Sequence, residues 1–150
     1  MRLTQYTDYA LRTLIYLAVG AGRRHTIRDV AEGYAISRHH LTKVVQRLHH
    51  HGFVDAARGK GGGLTLARPA GEIVVGDVFR TMETSSALVE CFESNGDCAI
   101  QGNCGLARAL REALNAFAAT LDDYTLEDIV GDREHHLRTI LRIPVVELER

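Results

Sequence analysis

No run of apolar residues in this chain approaches the ~20 that a membrane-spanning helix needs, so no transmembrane helix is expected. The apolar stretch at residues 11–19 is interrupted by Arg12 and preceded by Asp8, which argues against a secretory signal and for a cytoplasmic chain. Low-complexity tracts and internal repeats are also missing. There is no nucleophile–base pair and no phosphate loop of the form G-x-x-x-x-G-K-[ST], so the chain is not expected to be an enzyme. Its 150 residues, 45% of them hydrophobic, suffice for one domain plus an appended element.

Cysteine is scarce, and its placement is informative. The three residues Cys91, Cys98 and Cys104 are spaced C-x6-C-x5-C within a segment rich in Gly, Asn, Asp and Ser. An odd number cannot close into disulfides within one chain. The paired C-x2-C spacing typical of structural zinc is absent. Buried filler suits cysteines scattered on apolar faces, not three in a polar loop. A soft metal or an iron–sulfur cluster accounts for the grouping, and a metal-free thiol redox switch is the alternative. Cys104 opens an apolar-periodic stretch, so it should sit at a helix N-terminus, where the dipole favours an anionic ligand. A fourth ligand has to come from elsewhere in the chain or from a second chain.

A net charge of −1 conceals an uneven distribution. Residues 38–68 carry Arg38, Lys43, Arg47, Arg58, Lys60 and Arg68 against one acid, Asp55, with five histidines besides. Residues 69–130 carry three basic residues against eleven acidic ones. A basic block beside an acidic block fits a nucleic-acid face joined to a module with another task.

Residues 4–19 read as a helix with Leu11, Leu14, Ile15 and Ala18 as its buried stripe, ended by residues 20–22. Asp8 and Arg12, at i and i+4, project from one side of it. A second helix at residues 26–32 is capped by Thr26 with Asp29 completing a capping box, and residues 33–36, led by Gly33, turn the chain. Ser37 caps a third helix to about residue 51, with Leu41, Val44, Val45 and Leu48 buried and Gly52 as its stop. This is a helix-turn-helix, and the opening residues Ser37, Arg38, His39, His40 and Lys43 are candidates to face a DNA major groove.

Two strand-like runs, residues 53–57 and 64–67, flank a glycine-rich basic tip containing Arg58 and Lys60. The glycines let the tip approach a sugar–phosphate wall, and the two cations supply charge. The fold class expected is therefore mainly α with a small β-hairpin: a winged helix-turn-helix domain followed by a cysteine loop and a long dimerisation helix. A fourth helix begins near Val75. A long helix from Cys104 to about Leu121 has Leu106, Leu110, Leu114, Phe117 and Leu121 along one side and Ala109, Ala113 and Ala116 along another. A partner subunit is the simplest cover for the second stripe. The chain divides into residues 1–68 (winged domain), 69–130 (cluster loop and dimerisation helix) and 131–150, a tail of irregular apolar spacing expected to be flexible.

Together these features resemble the family of small winged-helix iron–sulfur transcription regulators. The resemblance rests on residues 1–12, 36–45, the wing at 58–66, the three cysteines and residues 121–130. It implies a homodimeric, nitric-oxide-sensing repressor of double-stranded operator DNA. Its cluster, [4Fe–4S] in preference to [2Fe–2S], would be held by Cys91, Cys98 and Cys104 of one subunit and Asp8 of the other. Arg12 would hold Asp8 or balance the cluster's charge. A sister branch that regulates cluster biogenesis uses a His three residues beyond the last cysteine, and here that residue is Ala107. The alternative within the family is a regulator sensing redox or iron–sulfur status through the same cysteines.

Overall fold

The computed structural model describes residues 3–83, 99–100 and 103–144. The sequence expectations for Cys91 and Cys98 lie outside the described residues. Helix α1 (Gln5–Val19) starts at Thr4, whose hydroxyl accepts from the Thr7 amide at 3.3 Å. Helix α2 (Ile27–Tyr34) has the expected capping box between Thr26 and Asp29. Helix α3 (Arg38–His50) follows, then the antiparallel hairpin of β1 (Val54–Ala57) and β2 (Gly63–Leu66). Helix α4 is Val75–Met82, and α5 is Gly105–Asp122. Short helix α6 (Leu126–Val130) leads through a 3-10 turn to α7 (Glu134–Ile140).

The helix-turn-helix and its wing are as expected, and Leu41, Val44, Val45 and Leu48 are all buried. The hairpin register pairs Val54 with Leu66 and Ala57 with Gly63, leaving Phe53 in the core instead of in the strand. At the tip, a Cβ on Gly62 would stand 2.4 Å from the Ala57 carbonyl, so only glycine fits the turn there. The wing is also held from behind. His25 and Leu64 exchange backbone hydrogen bonds of 3.0 and 2.6 Å, which adds a third short pairing to the hairpin.

Four local expectations need correction. The first helix buries Thr7, Ala10, Thr13, Leu14, Tyr16, Leu17 and Val19, while Leu11, Ile15 and Ala18 are half-buried. The reason is that α1 is wedged between two core clusters and buries more than one stripe. The turn after α2 uses Ala35, at φ 53°, and not Gly33. Gly33 lies within α2, where a Cβ would stand 2.7 Å from the Tyr16 ring, so close packing and not a turn requires the glycine. Ser37 occupies the cap position of α3 without a side-chain capping bond.

The fourth correction concerns the tail expected to be flexible. Residues 131–140 form the 3-10 turn and α7, and Leu141 and Ile143 beyond them are buried with Tyr16, Val19, Val30 and Leu41. Arg138 fastens this stretch by donating to the Val19 and Pro144 carbonyls and to Glu134. The other cluster joins Leu14, Leu17, Leu48, Phe53 and Leu64 to Ile73, Val78, Met82 and Leu126, so residues after 68 complete the core of those before it.

Candidate nucleic-acid interface and cysteine site

On α3 the buried and exposed positions separate cleanly, because a helix with apolar residues every three or four positions must face its other side outward. Ser37, Arg38, His39, His40 and Lys43 are all exposed, as are Arg58 and Lys60 on the wing. A cleft of about 850 Å³ runs between α3 and the hairpin. It brings together three of the expected residues, Arg38 and His39 from the helix and Arg58 from the wing. Ser37, His40, Lys43 and Lys60 lie outside its lining, and the His40 ring instead lies 6.4 Å from that of Tyr9 on α1.

The cleft also takes in residues that sequence reasoning missed: Arg28 at the start of α2, and Thr42, Gln46 and His49 along α3. The signal for the last three was present, since 42, 46 and 49 fall on one helical face and all three are polar. His49 is fixed in place by its Nδ1–H, which donates to the Val54 carbonyl at 2.8 Å. No acidic residue among the described residues lines this cleft, a balance that favours an anionic guest.

Cys104 is the cysteine within the described residues, and it lies where the sequence puts it, at the N-cap of α5. The Ala107 amide donates to its Sγ at 3.4 Å, and the sulfur is half-buried at the positive end of an 18-residue helix. Asp8 stands in the first turn of α1, its Oδ1 accepting from Arg12 Nε at 3.0 Å, with the two side chains 40% and 42% exposed. Arg12 is braced from its other side by the Tyr34 ring, 5.7 Å away. Burial pushes the Tyr34 hydroxyl up to about 12, although the Arg12 charge acts against it, so it stays neutral beside the pair. Among the described residues, no group of three or more His, Cys, Asp or Glu side chains is placed to hold a metal.

The end of α4 was not singled out from the sequence. The Thr4 amide and hydroxyl and the Thr7 hydroxyl all donate to Glu83 Oε2, at 3.1, 3.1 and 2.7 Å. Two residues earlier, Arg47 of α3 donates to the Thr81 carbonyl at 2.6 Å. On the far side of α4, Arg80 bridges Asp77 and Asp122, and the Phe79 and Phe117 rings meet edge-on at 5.3 Å. Those two carboxylates hold the Arg80 guanidinium more firmly charged than usual. They pin α5 to α4, yet α5 buries none of its residues fully, and Leu106 is 65% exposed.

No helix among the described residues is long and apolar enough to cross a membrane. The chain is 44% identical over 142 residues to an HTH-type transcriptional regulator NsrR of Bacillus subtilis, covering 93% of this chain and 97% of that one. It is equally identical over 144 residues to the NsrR regulator of Geobacillus kaustophilus, covering 95% and 97%. The fold matches that of CymR, described as the global cysteine regulator of B. subtilis, with a TM-score of 0.67 at 27% identity, over 86% of this chain and 95% of that one. A family model described as iron-dependent transcriptional regulator matches residues 3–132. The chain therefore belongs to the Rrf2 family, and it is a transcriptional regulator of mainly helical winged fold, not an enzyme.

Proposed function

We propose that this chain is an iron–sulfur-cluster-dependent repressor that senses nitric oxide, holding operator DNA as a homodimer while the cluster is intact and releasing it on nitrosylation or cluster loss. The observation that carries this reading is the junction at the end of α4. Thr81 is tied to α3 through Arg47, Glu83 is tied to α1 through Thr4 and Thr7, and the next residue begins the stretch that carries Cys91 and Cys98. A rearrangement of that stretch acts on a point already bonded to the DNA-facing helix and to the helix that bears Asp8.

The donor set fits a cluster. Cys91, Cys98 and Cys104 of one subunit and Asp8 of the other would hold it, as [4Fe–4S] in preference to [2Fe–2S]. Cys104 has its amide donor and helix dipole in place. The Asp8 carboxylate is part exposed, so a second chain can reach it, and Arg12 remains one turn away to balance charge. When bound, the cluster supplies an iron whose carboxylate ligand is weaker than thiolate and which is open to a diatomic ligand. The exposed side of α5 gives the dimer a surface. In the DNA complex, Ser37, Arg38, His39, His40 and Lys43 would enter the major groove while Arg58 and Lys60 of the wing hold phosphate.

The test is anaerobic purification with iron and sulfide analysis and a visible spectrum, then nitric oxide titration while operator binding is followed. The expected outcome is a coloured dimer whose operator affinity falls in step with the loss of its cluster spectrum. Colourless, iron-free protein that binds the operator fully and responds only to thiol oxidants would overturn the cluster reading in favour of the thiol switch.

A further inference from the structure

A helix lying in a major groove reads bases with one face, and residues at i, i+3, i+4 and i+7 share that face. Counted from His39, that set on α3 is His39, Thr42, Lys43 and Gln46, and all four are exposed. Gln46 lies two turns, about 10 Å, beyond His39 along the axis. It opens into the cleft that also holds Arg38 and Arg58, so DNA gripped by those two cations passes over it. Its neighbours along the helix are engaged within the chain. The Thr42 hydroxyl donates to the Arg38 carbonyl at 2.9 Å, Arg47 donates to Thr81, and His49 donates to Val54. The Gln46 carboxamide makes no hydrogen bond among the described residues.

We propose that Gln46 is a specificity-determining residue that selects adenine at one position in each half of the operator. This rests on the DNA-binding reading above. A carboxamide presents a donor and an acceptor side by side, which complement N7 and the N6 amino group of adenine. Guanine offers two acceptors on the same edge, so one of the two bonds is lost there. Nothing among the described residues competes for the amide, and its exposure means that replacement leaves the fold intact.

The experiment selects binding sites from random duplex DNA with the full-length, anaerobically purified protein. Affinities of wild type, Gln46→Ala and Gln46→Glu are then measured on every single-base variant of the selected site. For Gln46→Ala, discrimination at one base pair per half-site should fall by roughly 5- to 150-fold, the range one bidentate contact provides. Other positions, the salt slope and the thermal unfolding midpoint should stay as in wild type. Gln46→Glu should move the preference at that pair towards cytosine, whose N4 amino group a carboxylate accepts from. Unchanged base preferences at every position in Gln46→Ala would overturn the proposal. So would a uniform weakening with a shallower salt slope, which marks a phosphate contact instead. Wild-type protein that enriches no sequence at all would instead fail the DNA-binding reading itself, and the assignment of Gln46 would fall with it.

Discussion

Arg47 donates its Nη2–H to the Thr81 carbonyl at 2.6 Å, joining the last turn of α3 to the last turn of α4. That carbonyl belongs to a helix end, where backbone acceptors lack intrahelical partners. Arg47→Met keeps the apolar stem and removes the donor, at a cost of about 1–2 kcal/mol in stability. The larger effect expected is on coupling. Operator affinity should fall, and the difference in affinity before and after nitric oxide treatment should shrink. The salt slope distinguishes this from a lost phosphate contact, which would flatten it by about one unit. An unchanged slope with unchanged nitric oxide response would remove Arg47 from the link.

Gly20 and His25 make a second testable pair. The His25 ring is buried, donates to the Gly20 carbonyl at 2.7 Å and packs edge-on against Tyr16 at 5.2 Å. A Cβ on Gly20 would stand 2.1 Å from His25 Nε2. Gly20 has φ −89°, a conformation open to any residue, so alanine there would ordinarily add stability by restricting the unfolded chain. The collision reverses that sign. Gly20→Ala should destabilise by about 1–3 kcal/mol, lowering the unfolding midpoint by about 2–4 °C for each kcal/mol. A raised midpoint would show that the ring is free to move aside.

What the sequence made legible follows from how local each signal is. The α3 stripe and the Thr26–Asp29 capping box are written within a few residues, and the structure reproduces them. The glycine-rich tip is equally local. What was missed depends on partners far away in the chain. Gly33 looked like a turn residue, but its missing side chain makes room for Tyr16, and the left-handed residue is Ala35. Leu141 and Ile143 have no helical period of their own and gain their place against α1, α2 and α3. His25 reads as polar surface until Gly20, Tyr16 and Leu64 close around it. Glu83 carries no local pattern at all, and its role appears once Thr4 and Thr7 are brought 76 or more positions across the chain to meet it.

For assembly, the informative substitutions lie on the exposed side of α5. Leu110 and Leu114 are half-buried within the chain, so changing them disturbs the protomer as well as any dimer. Leu106, Ala109 and Ala113 are exposed. Burying a few large apolar side chains at roughly 1.5–3 kcal/mol each suffices to hold two subunits together. Leu106→Lys and Ala113→Glu should therefore leave helical content unchanged, give monomers in sedimentation, and lose operator and cluster binding together. A soluble, cluster-loaded monomer from either variant would contradict both the dimer and a ligand supplied by the second subunit.

Asp8 separates a sensing site from an ordinary surface ion pair. Among the described residues its carboxylate accepts from Arg12 at 3.0 Å, with both side chains about two-fifths exposed. A pair so open to solvent contributes at most about 1 kcal/mol. If that bond is the whole of its role, Asp8→Ala should change stability slightly and nothing else. If Asp8 reaches iron in the partner subunit, its removal opens that position to water or added thiol while three cysteines still retain the cluster. The visible spectrum, the tolerance of added thiol and the rate of reaction with nitric oxide should then all differ from wild type, with the unfolding midpoint almost unmoved. Cys104→Ala should instead abolish stable cluster binding, because it removes a sulfur that the Ala107 amide holds in place. Anaerobic nitric oxide titrations of wild type and Asp8→Ala, followed by absorbance and operator affinity, decide between the two. Identical spectra and identical rates would leave Asp8 as a surface partner of Arg12 and require the fourth ligand to be sought elsewhere.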